Sequence, residues 1–423
     1  MILEKIGYSY NDLTLVPEVI TDIDSRSECN PYVYDNMLPI FTAPMASVVD
    51  ENNMDVFLEN GIMPILPLNI SIDKRIANME ADRWTSFSLK DFKRLFVDES
   101  SERIKDITYK ICVDIANGHM RSLYELCREA KEIAMKFGYS LTIMTGNIAN
   151  PDTYRWICEH NSIYDGEWVA DIVVDYIRCN IGNGSGCTTT SNVGTHYPPA
   201  TLMDECNTIK KDYPEAIRPK LIADGGIRNF DHVNIALGLG ADYVMIGSLF
   251  SQCIESAGFK SHRDTRLKMP LRFMQERYRD LAVDDNGCWR GYYTDEAIRD
   301  MSATWQSGVE NSKGTEAYEE SVWKLQRRLN SLKEEQIIGK IDVKFFGMAS
   351  ADGQKAVYGE KIKTAEGITK WLPVKYTLAK WVKTMTHCLR CAMSYSNALT
   401  LEEFIGECIL IPNSKAEQDA VNK

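Results

Sequence analysis

Residues 182–190 read Gly-Asn-Gly-Ser-Gly-Cys-Thr-Thr-Thr, a cysteine set among alternating glycines and followed by three threonines. Glycine carries no Cβ, so such a loop lets a ligand approach the backbone closely, and successive N–H groups can gather round an anion. A thiol held among amide dipoles is favoured as the thiolate, the form that acts as a nucleophile. Cys187 is therefore the candidate nucleophile, although each of the 12 cysteines is by default a small buried hydrophobe. Two further loops carry groups suited to a sugar phosphate. Asp224 precedes Gly225 and Gly226, and its carboxylate suits ribose hydroxyls; Gly225, Gly226, Gly247 and Ser248 offer backbone and hydroxyl donors to a phosphate. A cysteine beside a nucleotide-shaped cradle points to covalent chemistry on the base, not on the phosphate.

These loops need a frame that brings them to one face. Short apolar, β-rich runs end repeatedly in Gly, Asn, Asp or Ser: 39–45, 62–68, 85–89, 110–116, 141–146, 172–181, 220–225 and 243–247. Helical patterns lie between most of them, as in 120–137, where Leu123, Leu126 and Ala130 share a face, and in 230–239. Apolar strands alternating with helices predict parallel βα units, and eight of them make an α/β fold of the (β/α)8 TIM-barrel type in about 250 residues. Chemistry then sits at the C-terminal ends of the strands, where the glycine- and asparagine-rich loops fall. Residues 259–340 differ, being nearly neutral while the rest of the chain is acidic, and they carry a stripe of Tyr318, Val322, Leu325, Leu329 and Leu332 at helical spacing. The organisation expected is a barrel over 1–258, a mainly helical insertion over 259–340 after the eighth strand, and a flap with the C-terminal part of the barrel over 341–423.

Composition narrows the function classes. The chain has 423 residues, 44% hydrophobic and 26% charged, with a formal charge of −12. That is an ordinary globular balance, and it argues against nucleic-acid or anionic-membrane binding, which need a basic surface. No run approaches a membrane span, and the first residues lack the basic and apolar regions of a signal peptide, so a cytoplasmic location with reduced thiols is expected. One CxxC pair, Cys388 and Cys391, stands alone, whereas a zinc site usually needs a second pair. The phosphate-loop, zinc-protease and dinucleotide-binding fingerprints are absent, which argues against a Rossmann domain but not against a nicotinamide cofactor.

Several pieces in order and spacing resemble the IMP dehydrogenase/GMP reductase family: Tyr10 to Pro17, Ala43-Pro44-Met45, Val113 to Gly118, Gly146-Asn147, the Cys187 loop, Ala223 to Gly226, Gly347-Met348-Ala349-Ser350 and Ala365-Glu366-Gly367. The resemblance implies a (β/α)8 barrel. It also implies that Cys187 adds to purine C2 as a thioimidate while Thr189 and Glu366 move protons. Asp224 would hold the ribose, and Met45, Ser185, Gly225, Gly226, Gly247, Ser248, Gly347, Met348 and Ser350 would line the nucleotide and its 5′-phosphate. Asp114, Ala116, Asn147 and Lys363 would face the nicotinamide cofactor, NADPH in the reductase and otherwise NADH or NAD. Carbonyls of Gly182, Gly184 and Cys187 resemble a loop for a monovalent cation such as K+. A purine mononucleotide is the implied partner and a homotetramer the implied assembly.

The two branches of the family differ after the adduct forms. The dehydrogenase hydrolyses it, with an Arg-Tyr pair on a flap after the Gly-Met-x-Ser turn; here 351–365 is short and contains Tyr358 but no arginine. A reductase expels ammonia and needs no such base. Phe345 and the Asp114 to Gly118 run also resemble the reductase, and the short spacing between 68 and 85 leaves no room for a CBS module. Ala43-Pro44-Met45 and Ile246 to Leu249 look more like the dehydrogenase, Ala46-Ser47 and Thr195-His196 match neither, and Arg277-Tyr278 is wrongly spaced to serve as the flap pair. The expected activity is therefore GMP reductase, with IMP dehydrogenase and a catalytically silent nucleotide-binding scaffold as alternatives.

Overall fold

The computed structural model describes residues 6–100, 103–165, 168–262, 268–269, 341–359 and 367–414. Most of the segment expected as a helical insertion lies outside the described residues, as do Lys363 and Glu366.

A closed parallel barrel is built from the runs expected as strands. Ile40–Thr42, Thr85–Phe87, Thr108–Val113, Ser140–Ile148, Tyr176–Cys179, Lys220–Asp224 and Tyr243–Ile246 form one sheet in which each pair is parallel. Residues 62–66 fill the remaining gap between Ile40–Thr42 and Thr85–Phe87. They bridge both neighbours in parallel, Met63 to Phe41 and Leu66 to Thr85. Eight staves result. Tyr243–Ile246 is buried at every position, as expected of a strand covered on both faces.

The helices follow from local sequence. Arg121–Phe137 turns Leu123, Cys127, Ala130 and Ala134 inward and stops where Gly138 takes φ +80°, a left-handed conformation that glycine adopts without strain. Pro151–Glu159 begins with the Asn150 side chain accepting the Asp152 N–H, and Pro151 sets the first helical φ. Leu378–Tyr395 packs on Phe230–Gly238 and closes the helical ring, with Trp381 edge-on to Phe250. Among the described residues no helix is long and apolar enough to cross a membrane.

Alternation along the staves divides the barrel interior into two levels. Phe41, Trp84, Tyr176 and Tyr243 meet with ring centroids 5.2–6.1 Å apart and plug the N-terminal level, packed with Met63, Ile65, Met144 and Ile222. Two residues further along the same staves, Ala43, Arg178, Asp224 and Met245 occupy the inward positions of the C-terminal level. An antiparallel sheet of Lys260–His262, Ile341–Phe346 and Thr369–Pro373 leans over that end. It is joined to the Cys187 loop where Ile368 N–H donates to the Gly186 carbonyl at 2.9 Å.

Candidate active site

At the C-terminal ends of the staves a cavity is lined by Met45, Asp114, Arg178, Gly184 to Cys187, Asp224 to Ile227, Gly247, Ser248, Phe345 and Gly347 to Ala349. Of the residues expected at the site, the cavity thus gathers Met45, Asp114, Gly184, Ser185, Cys187, Asp224, Gly225, Gly226, Gly247, Ser248, Gly347 and Met348. Gly182, Ala116, Asn147, Thr189 and Ser350 stand outside its lining. Ser350 is fully buried, and its hydroxyl accepts the Gly353 N–H as the cap of helix Ala351–Tyr358.

Cys187 is half-buried at the cavity wall. Its S–H donates to Thr189 Oγ1 at 3.1 Å, and the Thr189 N–H points back at the sulfur at 3.5 Å. The loop is held by the Cys187 N–H on the Gly184 carbonyl at 2.9 Å and by the Thr190 hydroxyl on the Gly182 carbonyl at 3.1 Å. Gly186 lies where the loop crosses the Gly347 turn: a Cβ there would stand 2.8 Å from the Gly347 nitrogen. Ser185 and Ser248 hydroxyls meet at 3.2 Å, so the cysteine loop and the 247–248 loop are tied side by side.

Beneath the Asp224-Gly225-Gly226 loop, the N-terminal segment acts as a support. Tyr10 packs under Gly226. The His232 ring is gripped on both sides: Nε2 lies 2.7 Å from Asn11 Oδ1, and Nδ1 lies 3.0 Å from the Gly226 carbonyl and 3.2 Å from the Arg228 N–H. Burial pushes the His232 pKa down.

Arg178 is the residue that sequence reasoning missed. Its guanidinium reaches Asp114 Oδ1 at 2.6 Å through NH1 and Asp224 Oδ2 at 3.0 Å through Nε. The Asn147 amide donates to the same Asp224 oxygen at 2.8 Å and to the Asn180 carbonyl at 2.9 Å. Burial works against the charge on Arg178, but Asp224 and then Asp114 outweigh it and hold the guanidinium protonated. Two carboxylates are thereby fixed on either side of one cation at the barrel mouth. Asp224 Oδ1 carries no protein hydrogen bond among the described residues, Arg178 and Asn147 both meeting Oδ2. The available signal was a lone basic residue within the run 172–181, two positions beyond the inward Tyr176.

Cys112 shows what burial alone does to a thiol in the same barrel. It is fully buried and its pKa is pushed up to about 12, with Arg178 only partly offsetting the desolvation. Cys187, by contrast, is half-exposed at the cavity wall, with a hydroxyl and an amide beside its sulfur.

The model of the IMP dehydrogenase / GMP reductase domain matches residues 7–274. A GMP reductase of Caenorhabditis elegans is 34% identical over 151 residues, covering 35% of this chain and 36% of that protein. A GMP reductase of Helicobacter pylori is 27% identical over 263 residues, covering 59% of this chain and 73% of the relative. One of Mesoplasma florum is 29% identical over 260 residues, covering 60% and 74%.

Proposed function

Since the chain belongs to the IMP dehydrogenase/GMP reductase family of oxidoreductases, we propose that it is a GMP reductase, converting GMP and NADPH to IMP, ammonia and NADP+ through a covalent adduct on Cys187. The observation that carries this reading is the half-exposed Cys187–Thr189 pair set in one cavity with the Asp224-Gly225-Gly226 and Gly247-Ser248 loops.

The residues divide the work as follows. Asp224, held by Arg178 and Asn147, presents its free oxygen to ribose hydroxyls. Ser185, Gly226, Gly247, Ser248 and the Gly347 turn surround the 5′-phosphate, while Met45 and Met348 flank the base. Cys187 gives up its proton toward Thr189, and its sulfur forms a bond to purine C2. Thr189 and Glu366 return a proton to the exocyclic amine, which leaves as ammonia. When bound, the reduced nicotinamide supplies the hydride that C2 then receives. The C–S bond breaks, Cys187 leaves as thiolate and IMP is released. Splitting substitution and reduction in this way replaces one difficult step by two easier ones.

The cofactor side fits the residues present. Arg178 fixes the Asp114 carboxylate at the cavity edge, where it is a ready acceptor for a sugar hydroxyl, and Asn147, Ala116 and Lys363 complete that side of the reading. The carbonyls of Gly182 and Gly184 each accept one internal hydrogen bond and retain a second lone pair. With the Cys187 carbonyl they offer the neutral oxygen ligands that suit a monovalent cation such as K+. A homotetramer belongs to the same reading.

Absorbance at the reduced-cofactor band tests it. Oxidation of NADPH with GMP is expected. Reduction of NAD with IMP would overturn it in favour of the dehydrogenase, and no change with either pair would leave a nucleotide-binding scaffold. Cys187→Ala is expected to lower kcat by at least about 10⁴-fold, as loss of a nucleophile does elsewhere, with the melting temperature preserved.

A further inference from the structure

The cavity at the barrel mouth is short of positive charge. Its lining holds three charged side chains, Asp114, Asp224 and Arg178, and the guanidinium is committed to both carboxylates. One negative charge is left over, in a chain whose formal charge is −12. The loops of Gly225-Gly226 and Gly247-Ser248 offer N–H and hydroxyl donors but no charge. With these alone, a phosphate monoester, which is a dianion, would approach a negative wall.

Two cations stand at the edge of that wall. In the sheet over the mouth, Lys370 is paired in register with Phe345, and its Nζ lies over the Phe345 ring, 5.5 Å from the centroid. Paired residues of adjacent strands share a face, and Phe345 lines the cavity, so Lys370 is on the side of the sheet turned toward it. Thr369 falls on the opposite side, where its hydroxyl and Lys344 both meet Asp352. Arg228 follows the lining residue Ile227 on the glycine loop. Neither Lys370 nor Arg228 has a carboxylate partner among the described residues. Burial, and then the charge of Arg228, lower the Lys370 pKa, as expected of two cations that share a region with no anion between them.

We propose that Lys370 and Arg228 form the cationic side of a phosphomonoester subsite beside the Gly225-Gly226 loop, and that their charge makes the cavity select a nucleotide over its nucleoside. The occupant is the 5′-phosphate of GMP, an assignment that rests on the GMP reductase reading. Two cations match the two charges of the dianion, so occupancy adds no net charge to the mouth. The face of Phe345 attracts the Lys370 ammonium and holds it on the cavity side of the sheet. The 2′-phosphate of NADPH has the same chemistry. The 5′-phosphate is favoured because Gly226, Gly247 and Ser248, the uncharged donors, line one cavity with Phe345 and Ile227.

The full chain is titrated by calorimetry with GMP and with guanosine, and KM is measured for GMP, NADPH and NADH. Lys370→Met is expected to weaken GMP binding about tenfold or more, as loss of a hydrogen bond to a charged group does, and to leave guanosine binding within about twofold, with the melting temperature preserved. Lys370→Arg should restore most of the lost affinity, since it keeps the charge. Arg228→Met, at an exposed position, should weaken GMP by about twofold to fivefold. Added salt should weaken GMP and spare guanosine. Equal losses for GMP and guanosine, or GMP affinity indifferent to Lys370, would overturn the proposal. So would a rise in KM for NADPH but not for NADH with GMP binding intact, which would give the cations to the cofactor's 2′-phosphate. A parent chain that binds GMP through Lys370 yet oxidises no NADPH would sink the reductase reading and support the subsite.

Discussion

The two levels of the barrel interior are built by the same staves and do opposite work. Tyr176 and Arg178 are two residues apart on one strand and face the same way; so do Ile222 and Asp224. The first of each pair belongs to a dry aromatic floor, the second to an ion network of Arg178, Asp114, Asp224 and Asn147. Displacement along a strand by a single inward position separates residues of the packed floor from residues that line the cavity at the mouth. The floor owes its stability to apolar burial and to edge-on rings. The mouth keeps its shape through charges that are affordable inside only because they are paired.

Arg178→Met would break the mouth most severely. It leaves Asp114 and Asp224 near one another in a buried site without their cation, so a loss of about 3–5 kcal/mol in denaturant unfolding is expected. In the proposed function Asp224 then loses its hold on the ribose, so kcat/KM for GMP should fall by about 10²-fold or more. Stability and activity that both survived would show that the network is ornamental. Phe41→Ala attacks the floor instead. Phe41 is 1% exposed and touches Trp84, Tyr176 and Tyr243, so about 3–5 kcal/mol of stability should be lost to the cavity. Well below the new melting temperature the KM for GMP should stay within about twofold, since sites without shared partners act additively; a large rise would show that the two levels are coupled.

Lys260 sharpens the contrast between paired and unpaired buried charge. Its ammonium is fully buried and donates to the carbonyls of Ser256 and Gly258, with no carboxylate at salt-bridge distance among the described residues. Burial lowers its pKa from 10.5 to about 8. Above pH 10.5 the unfolded chain is also neutral at this residue and the folded state bears no penalty. As the pH falls toward 8 the unfolded chain takes up the proton first, so stability drops, and below 8 the penalty is complete. The parent should therefore gain stability relative to Lys260→Met between pH 8 and 10.5, by up to about 1.4 kcal/mol per pH unit. A constant difference between the two chains over that interval would contradict the burial argument. The smallest effect expected is that of Ser350→Ala. Loss of the helix cap should cost about 1 kcal/mol with no change in KM for GMP. A higher KM at unchanged stability would instead place Ser350 among the phosphate ligands.

Much of the frame could be read without coordinates. Each of the eight apolar runs became a stave, because a strand covered on both faces is predominantly apolar, and that bias is visible in the residue order. Helix ends such as Asn150-Pro151 and Gly138 were equally local, since caps depend on the residues next to them. The loops of Cys187, Asp224 and Gly247 could be assigned to one face because a parallel barrel puts all its βα loops there.

What the chain's order could not reveal were partnerships between distant residues. Whether Arg178 or Asp114 points inward depends on stave register, and their ion pair exists only once the barrel closes. The Arg26–Cys391 contact joins residues 365 apart in sequence, and the capping role of Ser350 was hidden behind a motif that suggests ligand binding. Periodicity and turn chemistry act over a few residues, so the amino-acid order by itself determined the strands, the helices and the small-residue loops. Pairing of buried charges and exposure of a thiol depend on which atoms displace water around them, and the folded barrel alone decided that.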